Sequence, residues 1–81
     1  MGKFRSSYAW KKKRAEIVEQ YNHRCAICDA DAHEVHHIIP IAVLDELKLD
    51  NQNLILLCER CHKLAHLGVI SQAHLLKRAQ K

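Results

Sequence analysis

The stretch Val35-His36-His37-Ile38-Ile39-Pro40 decides the fold, because it predicts a strand that ends at its proline and presents two adjacent histidines. Neighbouring side chains of an extended strand point to opposite faces. His36 and His37 are therefore expected to act separately, one facing a metal ion and the other facing a substrate. We interpret the segments on either side of this strand as the scaffold that positions the two histidines for their roles.

Four cysteines indicate how a chain of only 81 residues is stabilised. A domain of this size buries a limited core and often needs a metal or a crosslink. Residues 1–10 are basic and polar, without the apolar run of a signal peptide, and no segment is long and apolar enough to span a membrane. We therefore expect a single domain in the reducing cytoplasm, with cysteines that hold metal rather than form disulfides.

The net charge of +4 and the pI of about 9.0 favour an anionic partner, and nucleic acid is the first candidate. A basic run stands at the start of a predicted helix and consists of Lys11, Lys12, Lys13 and Arg14. Cations at a helix N-terminus oppose the macrodipole, so contact with phosphate is one explanation for the run. A solvated helix face is the other explanation, and the sequence favours neither.

Hydrophobic spacing and turn residues predict a first helix that runs from a cap at Ser6 or Ser7 to about Tyr21. Asn22 is expected to end this helix in a left-handed conformation. The helix carries one apolar stripe, which consists of Trp10, Ile17, Val18 and Tyr21.

The rest of the chain completes an α+β pattern. The predicted elements are strands at 33–39 and 54–57 and helices at 41–48, 59–67 and 71–79. The first strand is expected to pair with a short strand near the cysteine turn. The helix at 59–67 is expected to end at Gly68, and Ser71 is expected to cap the last helix.

Two C-x-x-C pairs predict a zinc site, and its ligands are Cys25, Cys28, Cys58 and Cys61. Two intervening residues allow a tight turn to present both sulfurs of a pair to one ion. Four thiolates form a closed tetrahedral shell with no open position for water, which is the structural type. Metal binding of this kind supplies much of the folding free energy of a small domain.

Two histidines predict a second metal site on the helix after the last cysteine pair. His62 and His66 are four residues apart, which places both on one helix face at a spacing used to chelate one ion. A third ligand from the strand would leave open positions for phosphate oxygen and water. A solvent-exposed pair of histidines is the alternative interpretation of this spacing.

Three short motifs follow one another in the chain, namely His36-His37-Ile38-Ile39-Pro40, Asn53-Leu54 and Leu57-Cys58-Glu59-Arg60-Cys61-His62. In this order and spacing they resemble the HNH nuclease signature. The similarity is to the zinc-stabilised subgroup, and it covers about residues 8–66. It implies a small ββα-metal (His-Me) finger, in which two strands and a helix surround one catalytic divalent metal, with flanking N- and C-terminal helices. Outside this resemblance, the residues predict a basic arm at 1–7 and a C-terminal helix at 67–81, so that 1–81 is expected to form one nuclease domain.

The resemblance assigns roles by position. His37 matches the general base that deprotonates the attacking water, and Asn53 matches the residue that orients this base, for which a hydrogen bond to the ring is expected. His62 matches a metal ligand, and His36 stands where many members have a metal-binding Asp. His66 matches a second helix histidine of the colicin-type branch, so that three histidines are implied as ligands of the catalytic metal.

The resemblance leaves the catalytic metal open among Mg²⁺, Mn²⁺, Ni²⁺, Co²⁺ and Zn²⁺. His36 in place of Asp removes a negative charge from the site and favours Zn, Ni or Co over Mg. The segment 42–49 also lacks the glycines that many members carry after the first motif. Hydrolysis of DNA to a 5′ phosphate and a 3′ hydroxyl is implied, with nicking by a monomer and double-strand breaks only by a weak dimer or paired nicks.

The alternative function is a zinc-ribbon DNA-binding module without catalysis. Such a module needs the four cysteines and the basic helix, but it has no need of the histidine and asparagine set. A zinc finger that contacts proteins is a third interpretation, which the basic arm makes less favourable. The nuclease is preferred because one chain combines His36, His37, Asn53 and His62.

Overall fold

The computed structural model describes residues 7–79, and in this range it contains a two-stranded antiparallel sheet and three α-helices. In chain order the elements are α1 (Tyr8–Gln20), β1 (Glu34–His37), β2 (Leu54–Leu57), α2 (Glu59–His66) and α3 (Gln72–Ala79). The predicted α+β class is confirmed. Apart from Ser7, the basic arm predicted at 1–7 lies outside the described residues.

Helix α1 begins and ends where its capping residues predict. The hydroxyl of Ser7 accepts a hydrogen bond from the backbone N–H of Trp10 at 3.2 Å. After the helix, Asn22 and His23 adopt positive φ angles of 56° and 61°, of which the sequence predicted only the first. The predicted apolar stripe is buried, and it consists of Trp10, Ile17, Val18 and Tyr21.

Strand β1 pairs with β2, with Glu34 opposite Leu57. The predicted pairing of β1 with a strand near the cysteine turn is wrong, because that segment closes on itself through a bridge between Arg24 and Asp31. All four residues of β2 are buried. They are covered because α1, α2 and α3 all contact this strand.

The two faces of β1 differ in burial, as strand alternation requires. Val35 and His37 are buried, whereas Glu34 and His36 are half-buried on the other face. The prediction that the adjacent histidines face opposite ways is therefore confirmed.

The connection from β1 to β2 differs most from the prediction. The helix predicted at 41–48 is wrong, because the segment consists of turns and a short 3₁₀ helix at Asp45–Leu47. The buried amide of Asn53 instead ties the two ends of this connection together: Oδ1 accepts from the Ile39 N–H at 2.8 Å, and Nδ2 donates to the carbonyls of Ile39 and Leu47 at 3.1 and 3.3 Å. An eight-residue helix is marginal by itself, so these bonds decide the path of the chain.

The predicted stop of α2 at Gly68 and the predicted cap of α3 at Ser71 are confirmed, whereas the cap of α2 at Cys58 was not predicted. Cys58 caps the start of α2, and Gly68 follows its end with a φ of 79°. The hydroxyl of Ser71 accepts from the backbone N–H of His74 at 3.1 Å at the start of α3, and Leu75 is buried against the core. In the part of the chain that the structure describes, no helix has the length and apolar character of a membrane span.

Candidate functional site

Two turns bring the four cysteines into one cluster, in which the sulfur atoms all lie within 4.8 Å of one another. The Sγ atoms of Cys28 and Cys58 are 3.5 Å apart. Two thiolates about 2.3 Å from one tetrahedral zinc ion lie roughly 3.8 Å from each other, so the spacing fits a shared ion. The complete predicted set is assembled, namely Cys25, Cys28, Cys58 and Cys61.

Backbone N–H groups point at the sulfurs of this cluster. Ile27 donates to Cys25 and Cys61 donates to Cys58, each at 3.4 Å. Burial acts to raise the pKa of Cys25, but backbone hydrogen bonds outweigh burial and lower this pKa to about 7. Burial raises the pKa of Cys61. A bound cation favours the thiolate form of every member, so the cluster is able to bind zinc.

Strand β1 and helix α2 bring three histidines together. His36 comes from the strand, and His62 and His66 come from successive turns of the helix. Their ligand atoms lie within 4.8 Å of one another, and their ring centroids are between 4.7 and 5.1 Å apart. The Nε2 atoms of the two helix histidines are 3.1 Å apart. Ligands about 2.0–2.1 Å from one ion lie roughly 3 Å apart, so the cluster fits one cation.

The charge state of His36 suits a metal ligand. Burial, reinforced by the electrostatic influence of the neighbouring His62, His66 and His37, lowers the pKa of His36 to about 4. Its imidazole is therefore neutral at neutral pH, which is the form that binds metal.

Glu34 orients this histidine cluster, and the sequence analysis missed it. Its Oε1 atom accepts a hydrogen bond from Nδ1 of His62 at 2.6 Å. The bond places the hydrogen on Nδ1 and leaves the Nε2 lone pair directed at the cluster. Glu34 precedes His36 by two residues on β1, so strand alternation places both on one face. This spacing was the signal that could have identified Glu34.

His37 lies on the other face of β1 and has different partners. Its ring stacks on Trp10 with centroids 4.9 Å apart, and its Nε2 atom donates to the carbonyl of Lys48 at 2.9 Å. Because a carbonyl only accepts, the hydrogen is assigned to Nε2 and the lone pair to Nδ1. His37 is 7% exposed, and it lines the same cavity of about 350 Å³ as the three clustered histidines.

Asn53 holds the loop and not the His37 ring, so the expected hydrogen bond between the two side chains is wrong. The Asn53 amide bonds the backbone of Ile39 and Leu47. Lys48 follows Leu47 in the chain, and its backbone carbonyl accepts the hydrogen bond from the His37 ring. Asn53 therefore fixes the segment that holds His37. The sequence identified the amide but not its partners, because the path of this loop was predicted incorrectly.

The basic run on α1 is divided between two environments. Lys13 donates to Oδ1 of Asn51 at 2.6 Å, and Arg14 donates to the backbone carbonyl of His33. These two cations therefore tie α1 to the segments that flank the sheet. Arg14 is nevertheless exposed, and so are the other two members of the run, Lys11 and Lys12.

Comparisons with known proteins agree with this site. The family model described as HNH endonuclease matches residues 23–67, which is more than half of the chain. The crystal structure of the HNH endonuclease of the deep-sea thermophilic bacteriophage GVE2, solved with manganese ion, is similar with a TM-score of 0.78 and 30% sequence identity, over 82% of this chain and 77% of that chain. No curated protein matches the chain. By the family match, the shared fold and the sequence identity, this chain belongs to the HNH endonuclease family.

Proposed function

We propose that this chain is a metal-dependent endonuclease that hydrolyses DNA phosphodiester bonds at the cluster of His36, His62 and His66. One observation carries the proposal: a strand histidine and two helix histidines converge in a cavity that His37 also lines. Membership of the HNH endonuclease family supports a nuclease, and a similar phage enzyme solved with manganese supports a divalent metal.

The three histidines are the proposed ligands of the catalytic metal. Three imidazoles leave positions open for water and for a phosphate oxygen. When bound, the ion would offset the negative charge that develops on the phosphate and on the departing 3′ oxygen. An all-imidazole set favours Zn²⁺, Ni²⁺ or Co²⁺ over Mg²⁺, and the manganese in the similar structure keeps Mn²⁺ among the candidates.

His37 is the proposed general base. The carbonyl of Lys48 accepts a hydrogen bond from Nε2–H and so holds the ring that is proposed to take a proton from the attacking water. Stacking on Trp10 fixes the plane of the ring. Imidazole is the side chain best suited to this transfer near neutral pH. Asn53 is a positioning residue in this account, because it acts through the loop that carries the carbonyl.

The four cysteines are proposed to hold one structural zinc that joins the turn after α1 to the start of α2. Residues 1–81 then form one nuclease domain. One histidine cluster in the described residues 7–79 supports nicking by a monomer, whereas a double-strand break requires a dimer or paired nicks. A 5′ phosphate and a 3′ hydroxyl are the expected ends.

Plasmid nicking tests this function. Purified zinc-loaded protein is incubated with supercoiled plasmid and each of Mg²⁺, Mn²⁺, Ni²⁺, Co²⁺ and Zn²⁺. We expect open-circular product with at least one ion, loss of that product in His37→Ala, and full activity in the control His23→Ala, whose ring pairs with Glu19 at the surface. Binding of plasmid without nicking under every ion would favour the zinc-ribbon DNA-binding module.

A further inference from the structure

We propose that a second cavity, between the segment 21–29 and α3, binds phosphates of the DNA strand that leaves the cavity of His36, His37, His62 and His66, which we call the catalytic cavity. The inference rests on the proposed DNA nuclease function. The cavity has a volume of about 790 Å³. We call it the basic cleft, and one histidine and four charged residues line it, namely His74, Arg24, Asp29, Lys77 and Arg78.

The charge of the basic cleft suits a polyanion. Three permanent cations, Arg24, Lys77 and Arg78, line it beside one carboxylate, Asp29. All four side chains are exposed and therefore within reach of a ligand in solution. Lys and Arg side chains in this arrangement are the groups that neutralise phosphates of nucleic acid.

Two guanidinium groups of the basic cleft are held in place without losing their charge. Arg24 donates to the backbone carbonyl of Asp29 at 3.3 Å, and Arg78 donates to the backbone carbonyl of Ala26 at 3.0 Å. Within residues 7–79, no ion pair includes either arginine. Since a guanidinium has five N–H donors, each arginine retains donors for a phosphate oxygen.

The catalytic cavity lacks the lysine and arginine side chains that line the basic cleft. Among the described residues, its lining includes four histidines but no Lys or Arg. Outside the scissile phosphate, the charge of a bound strand must therefore be neutralised elsewhere on the protein. The basic cleft is such a place, and α3 connects it to the catalytic cavity because this helix lines both cavities.

Helix α3 sets the distance between the two cavities. Gln72 and Leu75 line the catalytic cavity, whereas His74, Lys77 and Arg78 line the basic cleft. A helix with its side chains is about 10–12 Å wide, and one DNA strand advances about 3.4 Å per nucleotide. A strand that crosses α3 therefore reaches the basic cleft roughly three nucleotides from the scissile phosphate.

Salt-dependent binding of a fluorescent DNA duplex tests the cleft. All proteins carry His37→Ala, so the duplex stays intact. The cleft variant is Lys77→Ala/Arg78→Ala, and the matched control is Arg60→Ala/Lys63→Ala, which removes one Arg and one Lys from the exposed surface of α2. We expect the slope of log affinity against log salt to flatten by about two in the cleft variant, with about tenfold weaker binding at 0.1 M salt. The control is expected to keep a slope close to that of the parent.

An unchanged slope in the cleft variant would overturn the proposal, and so would an equal loss in the control, which would indicate a general charge effect. Zinc content and thermal unfolding show whether each variant is folded. If loss of the Arg78–Ala26 bond unfolds the protein, Lys77→Glu keeps that bond and must still weaken binding. Plasmid nicking by the protein with His37 intact tests the nuclease separately. Binding through the cleft without nicking by that protein would refute only the nuclease. Nicking by that protein with an unchanged slope in the cleft variant would refute only the cleft.

Discussion

The Oε1 atom of Glu34 lies 2.6 Å from the Nδ1 atom of His62, so a carboxylate on β1 orients a histidine on α2. The two residues are 28 positions apart in the chain, and both side chains are partly buried. Partners of this kind raise the basicity of a metal-binding imidazole and fix its tautomer. Glu34 therefore belongs to the proposed metal centre, although it is not one of the ligands.

Replacement of Glu34 by Ala should weaken the catalytic metal by about 10–100-fold, because His62 loses the group that orients it. Calorimetric titration of Ni²⁺ into zinc-loaded protein measures this affinity. Glu59→Ala is the control, since Glu59 is 77% exposed and pairs only loosely with Lys63. Equal Ni²⁺ affinities in the two variants would show that Glu34 has no part in the metal centre.

Replacement of Asn53 by Ala should destabilise the domain by about 2–4 kcal/mol, because three hydrogen bonds are lost at a site that is 2% exposed. Urea unfolding gives this value. In Asn51→Ala, which loses side-chain bonds to Lys13, Glu16 and Gln20 of α1, the expected loss is smaller, about 1–2 kcal/mol, because two of these bonds are exposed. The Asn53 variant should also cleave slowly at saturating metal, since the Lys48 carbonyl no longer holds His37. Parent-like cleavage would refute this positioning role.

Replacement of Cys28 by Ser should lower the zinc content and destabilise the protein, although Cys28 is the exposed member of its cluster. An exposed free thiol would tolerate this change, whereas a zinc ligand would not. Metal analysis and thermal unfolding are measured together. Cys→Ser at Cys25, Cys58 or Cys61 should have the same or a larger effect. A parent protein with two disulfides and no zinc would contradict the prediction.

The basic run should separate into two pairs. Lys11→Ala/Lys12→Ala should flatten the salt dependence of DNA binding by about two without loss of stability, because both side chains are exposed. Lys13→Ala/Arg14→Ala should instead cost about 1–2 kcal/mol, since it removes bonds to Asn51 and His33. DNA titrations and urea unfolding test both pairs. An unchanged slope in the first pair would identify the run as a solvated face.

Local signals in the sequence identified most of the elements. Caps at Ser7 and Ser71 and the stop at Gly68 marked helix ends correctly, because each acts through bonds or φ angles of its own neighbours. The loop after Pro40 was predicted incorrectly, since its path depends on Asn53, a residue more than ten positions later.

Local spacing in the sequence also predicted how the histidines of the candidate site are arranged. Strand alternation separated His36 from His37, and the i, i+4 spacing paired His62 with His66. The groups that hydrogen-bond to these histidines and orient them were not predicted from the sequence. A backbone carbonyl such as that of Lys48 has no sequence signature, because every residue carries one.

The two adjacent histidines provide the central test. His36→Ala should weaken the catalytic metal, with cleavage partly restored at high metal concentration, because a ligand is lost. His62→Ala and His66→Ala should behave in the same way. His37→Ala should keep metal and DNA binding while cleavage falls by about 10²–10⁴-fold, the usual contribution of a general base.

The most direct measurement is single-turnover cleavage of DNA beside metal titration, performed on His36→Ala and His37→Ala in parallel. Our account predicts that His37→Ala binds metal like the parent but cleaves about 10²–10⁴-fold more slowly at every metal concentration, whereas His36→Ala recovers cleavage as metal is raised. The reverse result, in which His37→Ala loses the metal and His36→Ala retains it, would exchange the two roles. Parent-like cleavage by both variants would contradict the proposed active site altogether.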